Sequence, residues 1–319
     1  MNEPVVACVP NFSEGREPAT IRALVTAMHL PGVRLLDCTS NREANRTVVT
    51  IAGDPAAVFE AAVRAGGVAA ERIDLTTHRG TYPRMGALDV LPFVPVSGLH
   101  IGECAMLARE AAEALWARFR LPCYLYEAAA TRPDRISLDE VRHGQFEGLR
   151  EAVLRDAGRR PDIGGPGLHP TAGAAAVGAR LPLIECSLTL ATDRLAGARA
   201  TARSLRQGFL GVHATAFVSP EGAKVLVKIA NYKDTSIAEV HACACAAARQ
   251  AGTTIASGEI VGLIPEDAYE PGSPWAAGAW SGGSCPGDDP LHAEGEPVML
   301  EERILERRLL SPLPWPDAL

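Results

Sequence analysis

The chain has 319 residues, 47% of them apolar and 22% charged, with a formal net charge of -7. That balance suits a packed globular protein of one large or two smaller domains. Lys and Arg form no basic run interleaved with aromatics, so no nucleic-acid partner is expected. No apolar run approaches the roughly 18 to 20 residues of a bilayer span, so no membrane is expected either. The opening MNEPVVACVPNF has neither the basic flank nor the cleavage pattern of a signal peptide, and a cytoplasmic location is expected.

In chain order, a strand is predicted at Val5 to Pro10, a helix over Ala19 to His29, strands at Val33 to Asp37 and Arg46 to Ala52, and a helix over Ala56 to Ala70. A strand follows at Leu91 to Val96. Added to this unit are a helix over Gly102 to Phe119, a strand at Cys123 to Tyr126 and a helix from Leu138 to Asp156. Arg159 to Gly173, rich in Gly and Pro, is predicted as an ordered loop separating the halves. The second half predicts a strand at Leu181 to Thr192, a helix over Leu195 to Gln207, and strands at Phe209 to Val218 and Lys224 to Ala230. Then come a helix at Ser236 to Gln250, N-capped by Ser236 and stopped at Gly252, and a strand at Thr254 to Pro265. This β-α-β-β-α-β order is ferredoxin-like, and the first half begins the same way; the fold class is α+β, with two such units. Glu270 to Glu296, with Trp275 and Trp280, is predicted as a long loop, and Val298 to Leu310 as an amphipathic helix.

The eight cysteines are scattered without CxxC spacing, which predicts reduced, mostly buried thiols. His241, Cys243 and Cys245 alternate along a predicted helix. Residues two apart there diverge by about 200°, so no metal site is expected. Phosphate-loop, GxGxxG and GxSxG motifs are absent. Four polar clusters remain at strand ends: Pro10 to Gly15, Ser40 to Thr47, His78 to Asp89 and Gly164 to Gly173. Each alone has a structural reading as a connecting turn.

Together, CVPNFSEG, LLD followed by NRTVVT, HRGTYPRMGALDVLPFVPVSG, YLYEAAA, HPTAGAAAVGAR and EIVGLIP resemble the formimidoyltransferase family over nearly the whole chain. These folate-dependent enzymes of histidine degradation move a formimino group from N-formimidoyl-glutamate to tetrahydrofolate. The resemblance implies two ferredoxin-like subdomains, 1–178 and 179–319, with a folate tunnel between them. It also implies a homodimer, tetrahydrofolate as co-substrate and a small amine or amino-acid substrate. The folate-contacting stretch would be Gly164, Gly165, Pro166, Gly167, Leu168, His169, Pro170, Thr171, Ala172 and Gly173.

Two departures stand out within the resemblance. The position of the family's catalytic histidine is Tyr82, and Thr39 stands at a position associated with an acidic residue. Attack of folate N5 on the amidine-like carbon needs a proton taken from one amine and given to the other. Imidazole, with a pKa of about 6.5, does both near neutrality; an unperturbed phenol, with a pKa of about 10, is only about 0.1% ionised at pH 7. Tyr82 is therefore expected as an acid or orienter, with His78 as a base if the loop turns it inward. Arg46 and Arg84 are expected to orient carboxylates, and Asn11, Ser13 and Asn231 to supply neutral hydrogen bonds. The expected activity is one-carbon transfer between folate N5 and an amine such as glutamate, the acceptor left open. The alternative is a catalytically silent folate-binding paralogue.

Overall fold

The computed structural model describes residues 3–219, 222–269 and 304–316. It comprises two compact units, one running to Arg180 and taking in 312–316, the other beginning at Leu181 and taking in 304–311. The loop expected at Glu270 to Glu296 and the start of the helix expected from Val298 lie outside the described residues.

In the first unit, β1 (Val5–Cys8) and β2 (Asn11–Phe12) are two pieces of one central strand. Pro10 lies between them and has no N–H to give to a ladder, so the strand is interrupted there. After α1 (Pro18–Ala27) come β3 (Val33–Asn41), β4 (Arg46–Gly53), α2 (Pro55–Arg72) and β5 (Leu88–Ser97). Both helices start where proline follows a capping carboxylate, Glu17 before Pro18 and Asp54 before Pro55. The central strand pairs antiparallel with β4 and β5, and β3 pairs with β4. The resulting order β3-β4-β1/β2-β5 is the ferredoxin-like sheet that the periodicity predicts.

The sheet then continues through α3 (Ile101–Phe119), β6 (Cys123–Glu127) and β7 (Ala175–Ala179), with β7 parallel to both β5 and β6. Sequence reasoning places no strand at AAVGA, because alanine carries no β-branched signal. The small residues are needed for contact. All five are buried, and a side chain at Gly178 would meet the Tyr126 ring at 2.5 Å. The Arg159 to Gly173 stretch accordingly lies inside the first unit, ahead of β7, and does not separate the halves.

One sheet face carries α1, α2 and α3 over a core of Phe12, Leu24, Val49, Ile51, Leu91 and Phe93. Over β5, β6 and β7 the other face is covered by a smaller cluster of Met85, Val90, Tyr124, Val141, Leu149 and Val153. The helix expected from Leu138 to Asp156 is two helices, α4 (Leu138–Val141) and α5 (Gln145–Arg155). Gly144 (φ 87°) turns left-handed between them, a conformation glycine adopts without a side-chain penalty.

The second unit has β8 (Ile184–Leu190), α6 (Leu195–Gly208), β9 (Val212–Ser219), β10 (Gly222–Ile229), α7 (Ile237–Gln250) and β11 (Ile255–Val261). Its antiparallel order β11-β8-β10-β9 repeats the ferredoxin-like arrangement. Along β10, Val225, Val227 and Ile229 enter the core while Lys224, Leu226 and Lys228 stay half-buried on the other face. Ser236 and Glu239 form the capping box of α7. The last helix is α8 (Leu305–Leu310), which begins after the extended Ile304.

Candidate active site

The polar clusters at His78 to Asp89, Pro10 to Gly15 and Ser40 to Thr47 meet at one end of the first sheet. Asn11 opposes Val48, which opposes Thr39, so the three side chains share the face turned away from α1 and α2. Arg46, two residues before Val48 on β4, joins them on this face. In β5 the register against β2 jumps between Leu88 and Val90, leaving Asp89 as the extra residue. Such a bulge re-aims a side chain, here toward Arg46.

Asp89 is fully buried. Its Oδ2 lies 2.7 Å from Arg46 Nη1 and 3.1 Å from Arg142 Nη2, while its Oδ1 accepts from the Met85 amide at 2.8 Å. Burial alone would raise its pKa; Arg142 and Arg46 outweigh burial and hold the carboxyl below its ordinary range. Arg46 also donates from Nη2 to Asn11 Oδ1 at 2.8 Å, and Asn11 in turn donates to the Val9 carbonyl. The Tyr82 ring packs against this pair, with Arg46 Cζ 4.3 Å and Arg142 Cζ 5.7 Å from its centroid. Two guanidinium groups thus share one buried carboxylate and flank one phenol.

The remaining expected residues are held differently. His78 is buried; its Nε2 contacts the Asn45 carbonyl at 3.1 Å and its Nδ1 lies 3.1 Å from Arg84 Nε. The guanidinium can only donate, so Nδ1 accepts and Nε2 carries the hydrogen. Burial, reinforced by the charge of Arg84, lowers the pKa despite the Asn45 contact. Both nitrogens of this imidazole are engaged within the protein. Arg84 is not open to a substrate carboxylate, because it holds Glu147 through a bidentate fork at 2.8 and 2.7 Å. Ser13 Oγ donates to the Gly86 carbonyl at 2.7 Å, tying the loop to β2. Thr39, exposed, donates to Asp37 at 3.3 Å. Asn231 lies in the second unit, where its side chain bonds Asp234 at 2.6 Å and the Lys233 amide at 3.2 Å in the turn before α7.

The Gly164 to Gly173 stretch ends in a tight loop in which His169 and Gly173 exchange backbone hydrogen bonds of 2.8 and 3.1 Å. His169 Nδ1 accepts from the Ala172 amide at 3.0 Å, which leaves Nε2 to carry the hydrogen. Gly164 to Thr171 are exposed or half-buried, whereas Ala172 and Gly173 are buried against the His78 to Asp89 loop. Gly173 has φ +70°, and an added Cβ would stand 2.1 Å from the Met85 carbonyl oxygen. Gly173→Ala is therefore expected to destabilise the first unit by roughly 2 to 3 kcal/mol, read as a lower urea midpoint at unchanged slope.

Four buried cysteines, Cys8, Cys104, Cys123 and Cys186, offer no competing nucleophile. Burial pushes the Cys104 thiol up to about 11 and that of Cys186 to about 12, and raises those of Cys8 and Cys123 further. Cys245 lies 3.3 Å from His241 along α7, and its thiol too is raised by burial.

Sequence reasoning misses Arg142, Glu147 and Asn45, and assigns no role to Asp89. The family described as "Formiminotransferase domain, N-terminal subdomain" matches residues 5–180, which include every element of the first sheet and its site. The chain belongs to the formiminotransferase family. Among its relatives is the "Glutamate formimidoyltransferase" of Streptococcus pyogenes serotype M1, 39% identical over 270 residues, which span 83% of this chain and 90% of that protein. One of the same name from Thermoplasma acidophilum is 35% identical over 272 residues, 83% and 89% of the two chains. The "Formimidoyltransferase-cyclodeaminase" of Rattus norvegicus is 34% identical over 272 residues, and there the match spans 50% of the relative. Among the described residues no helix is long and apolar enough to cross a membrane.

Proposed function

We propose that this formiminotransferase family enzyme moves a formimidoyl unit between an amino-acid-type amine, such as that of glutamate, and N5 of tetrahydrofolate. The observation that carries the reading is a half-buried phenol, Tyr82, clasped by two guanidinium groups on the polar face of the first sheet. It is the group in the cluster with a proton to exchange; His78, Arg84 and Arg46 are occupied in building it. In the transfer, folate N5 bonds to the amidine carbon, that carbon releases the amine, and one proton passes from N5 to the departing nitrogen. The exposed part of the Gly164 to Gly173 loop, with the Nε2–H donor of the half-buried His169, supports a place for folate, and Asn11 and Thr39 share the face on which the amino acid would lie.

Steady-state turnover of N-formimidoyl-glutamate with tetrahydrofolate, followed by folate absorbance, tests the reading beside calorimetric titration with a reduced folate. Turnover with saturable folate binding is expected. Binding without turnover on any formimino or formyl donor would give the silent folate-binding reading the better claim, and absence of binding would defeat both.

A further inference from the structure

We propose that Asn45 is a positioning residue for the transfer: its side-chain amide fixes the loop that carries Tyr82 against the turn between β3 and β4. The inference rests on the functional reading above for its chemistry, and on geometry that stands without that reading. Asn45 is buried and closes the turn in the left-handed region, at φ 51°. Asparagine adopts that conformation more readily than most residues that carry a side chain. Its Oδ1 accepts from the Gly15 amide at 2.9 Å, its Nδ2 donates to the Arg79 carbonyl at 3.0 Å, and its own carbonyl accepts from His78 Nε2 at 3.1 Å. A side-chain amide has one accepting and one donating end, and here each end meets the partner that needs it.

The bonds on either side of Asn45 extend the same join. Two residues earlier, the Glu43 carbonyl accepts from the Thr81 amide at 3.2 Å. One residue later, Arg46 Cζ stands 4.3 Å from the centroid of the Tyr82 ring. Residues 43, 45 and 46 therefore hold residues 78, 79, 81 and 82 as one strip of chain laid along another. The approach is close: a Cβ on Gly80 would stand 2.2 Å from the Ala44 carbonyl oxygen. The Asn45 amide is the side chain of the turn that grips the loop's backbone, and through Gly15 it ties in the loop after β2 as well.

Asn45 acts on the reaction through the loop. Misplacing a reacting group by about 1 Å can cost about 10²-fold in rate, because proton transfer requires near-contact geometry. Substrate binding spreads over many contacts and feels such a shift far less. A bond made to Arg79, three residues before Tyr82, is therefore expected to act on kcat and to leave KM nearly alone.

Asn45→Asp is the test, because it is nearly isosteric and tolerates the same left-handed backbone. The ionised carboxylate still accepts from Gly15 but can only oppose the Arg79 carbonyl; once protonated, its O–H donates there and restores the bond. Titratable side chains stand around this position on each element packed against it: Glu14 and Arg16 after β2, Arg46 on β4, and His78, Arg79 and Arg84 on the loop. Parent and variant share them, so each quantity is read as a ratio to the parent at the same pH. At about pH 8, kcat for formimidoyl transfer is expected to fall by about 10- to 100-fold with KM for both substrates within about threefold. By about pH 5 that deficit is expected to shrink at least threefold, as the introduced carboxyl gains its proton. The same pattern is expected without substrate: the Thr81 amide exchanges hydrogen faster than in the parent at the higher pH and at a rate close to the parent's at the lower. An unchanged kcat with unchanged Thr81 protection, or a deficit equal at both pH values, overturns the inference. Should Asn45→Asp fail to fold, Asn45→Gly decides, since glycine keeps the backbone conformation and drops both side-chain bonds. A fall in kcat at unchanged KM then supports positioning; an unchanged kcat overturns it. Lost Thr81 protection in a variant whose parent shows no turnover sinks the functional reading and leaves this one standing.

Discussion

Asp89→Asn is expected to lower the melting temperature of the protein by roughly 10 °C or more. The substitution is nearly isosteric, and the amide can still accept from Met85 N–H, so packing is not what changes. What changes is that Arg46 and Arg142, both buried, lose the carboxylate they share at 2.7 and 3.1 Å. Removing one partner of a buried ion pair costs about 3 to 5 kcal/mol, because the charge left behind stays out of water. For a unit of this size each kcal/mol moves the midpoint by about 2 to 4 °C. The pH dependence follows from the sign of the shift. The folded-state pKa of Asp89 lies below its unfolded value, so its stabilisation is complete above the unfolded value of about 4 and is lost as pH falls through the lower, folded one. The gap between parent and variant should therefore be constant from about pH 5 upward and narrow below about pH 4. A variant melting within 2 °C of the parent at pH 7 would mean that the cluster is solvated and not the anchor of the site.

That cluster also marks how far the sequence could be read. Strands with an ordinary pleated signal were legible: KVLVKIA alternates because one face of β10 meets the core, and Ser236 with Glu239 announces the start of α7. The two ferredoxin-like units follow from such local signals. β7 was not legible, since its small residues are chosen for close approach to Tyr126 and carry no propensity for a strand. The break between α4 and α5 was half legible. Gly144 is in plain view, but a glycine within a helical pattern is as readily tolerated as obeyed.

The site shows the same division more sharply. Tyr82 and Arg46 were found because they stand in recognisable motifs, and the loop of Gly164 to Gly173 for the same reason. Arg142 was not, because its place beside Asp89 depends on a bulge in β5 and a stopped helix in a distant segment. Charged residues in a motif invite a ligand reading, yet Arg84 is committed to Glu147 and His78 to Asn45. Partners distant in sequence decide whether a polar side chain is available for chemistry or spent on structure. No local pattern records that choice.

Tyr82→Phe puts the choice to its strictest trial. The ring, with Arg46 stacked 4.3 Å from its centroid, is retained, so stability should change by less than about 1 kcal/mol. The hydroxyl is lost, and with it the proton carrier, so kcat for formimidoyl transfer is expected to fall by about 10² to 10⁴ while the folate dissociation constant stays within a few-fold. Turnover within threefold of the parent would remove Tyr82 from the chemistry. Tyr82→His supplies the converse. An imidazole between two guanidinium groups is held neutral by like-charge repulsion, which leaves it a competent base at neutral pH. Turnover on the glutamate donor should then match or exceed that of the parent. Turnover below that of the parent would show that position 82 does not exchange the proton in this pocket.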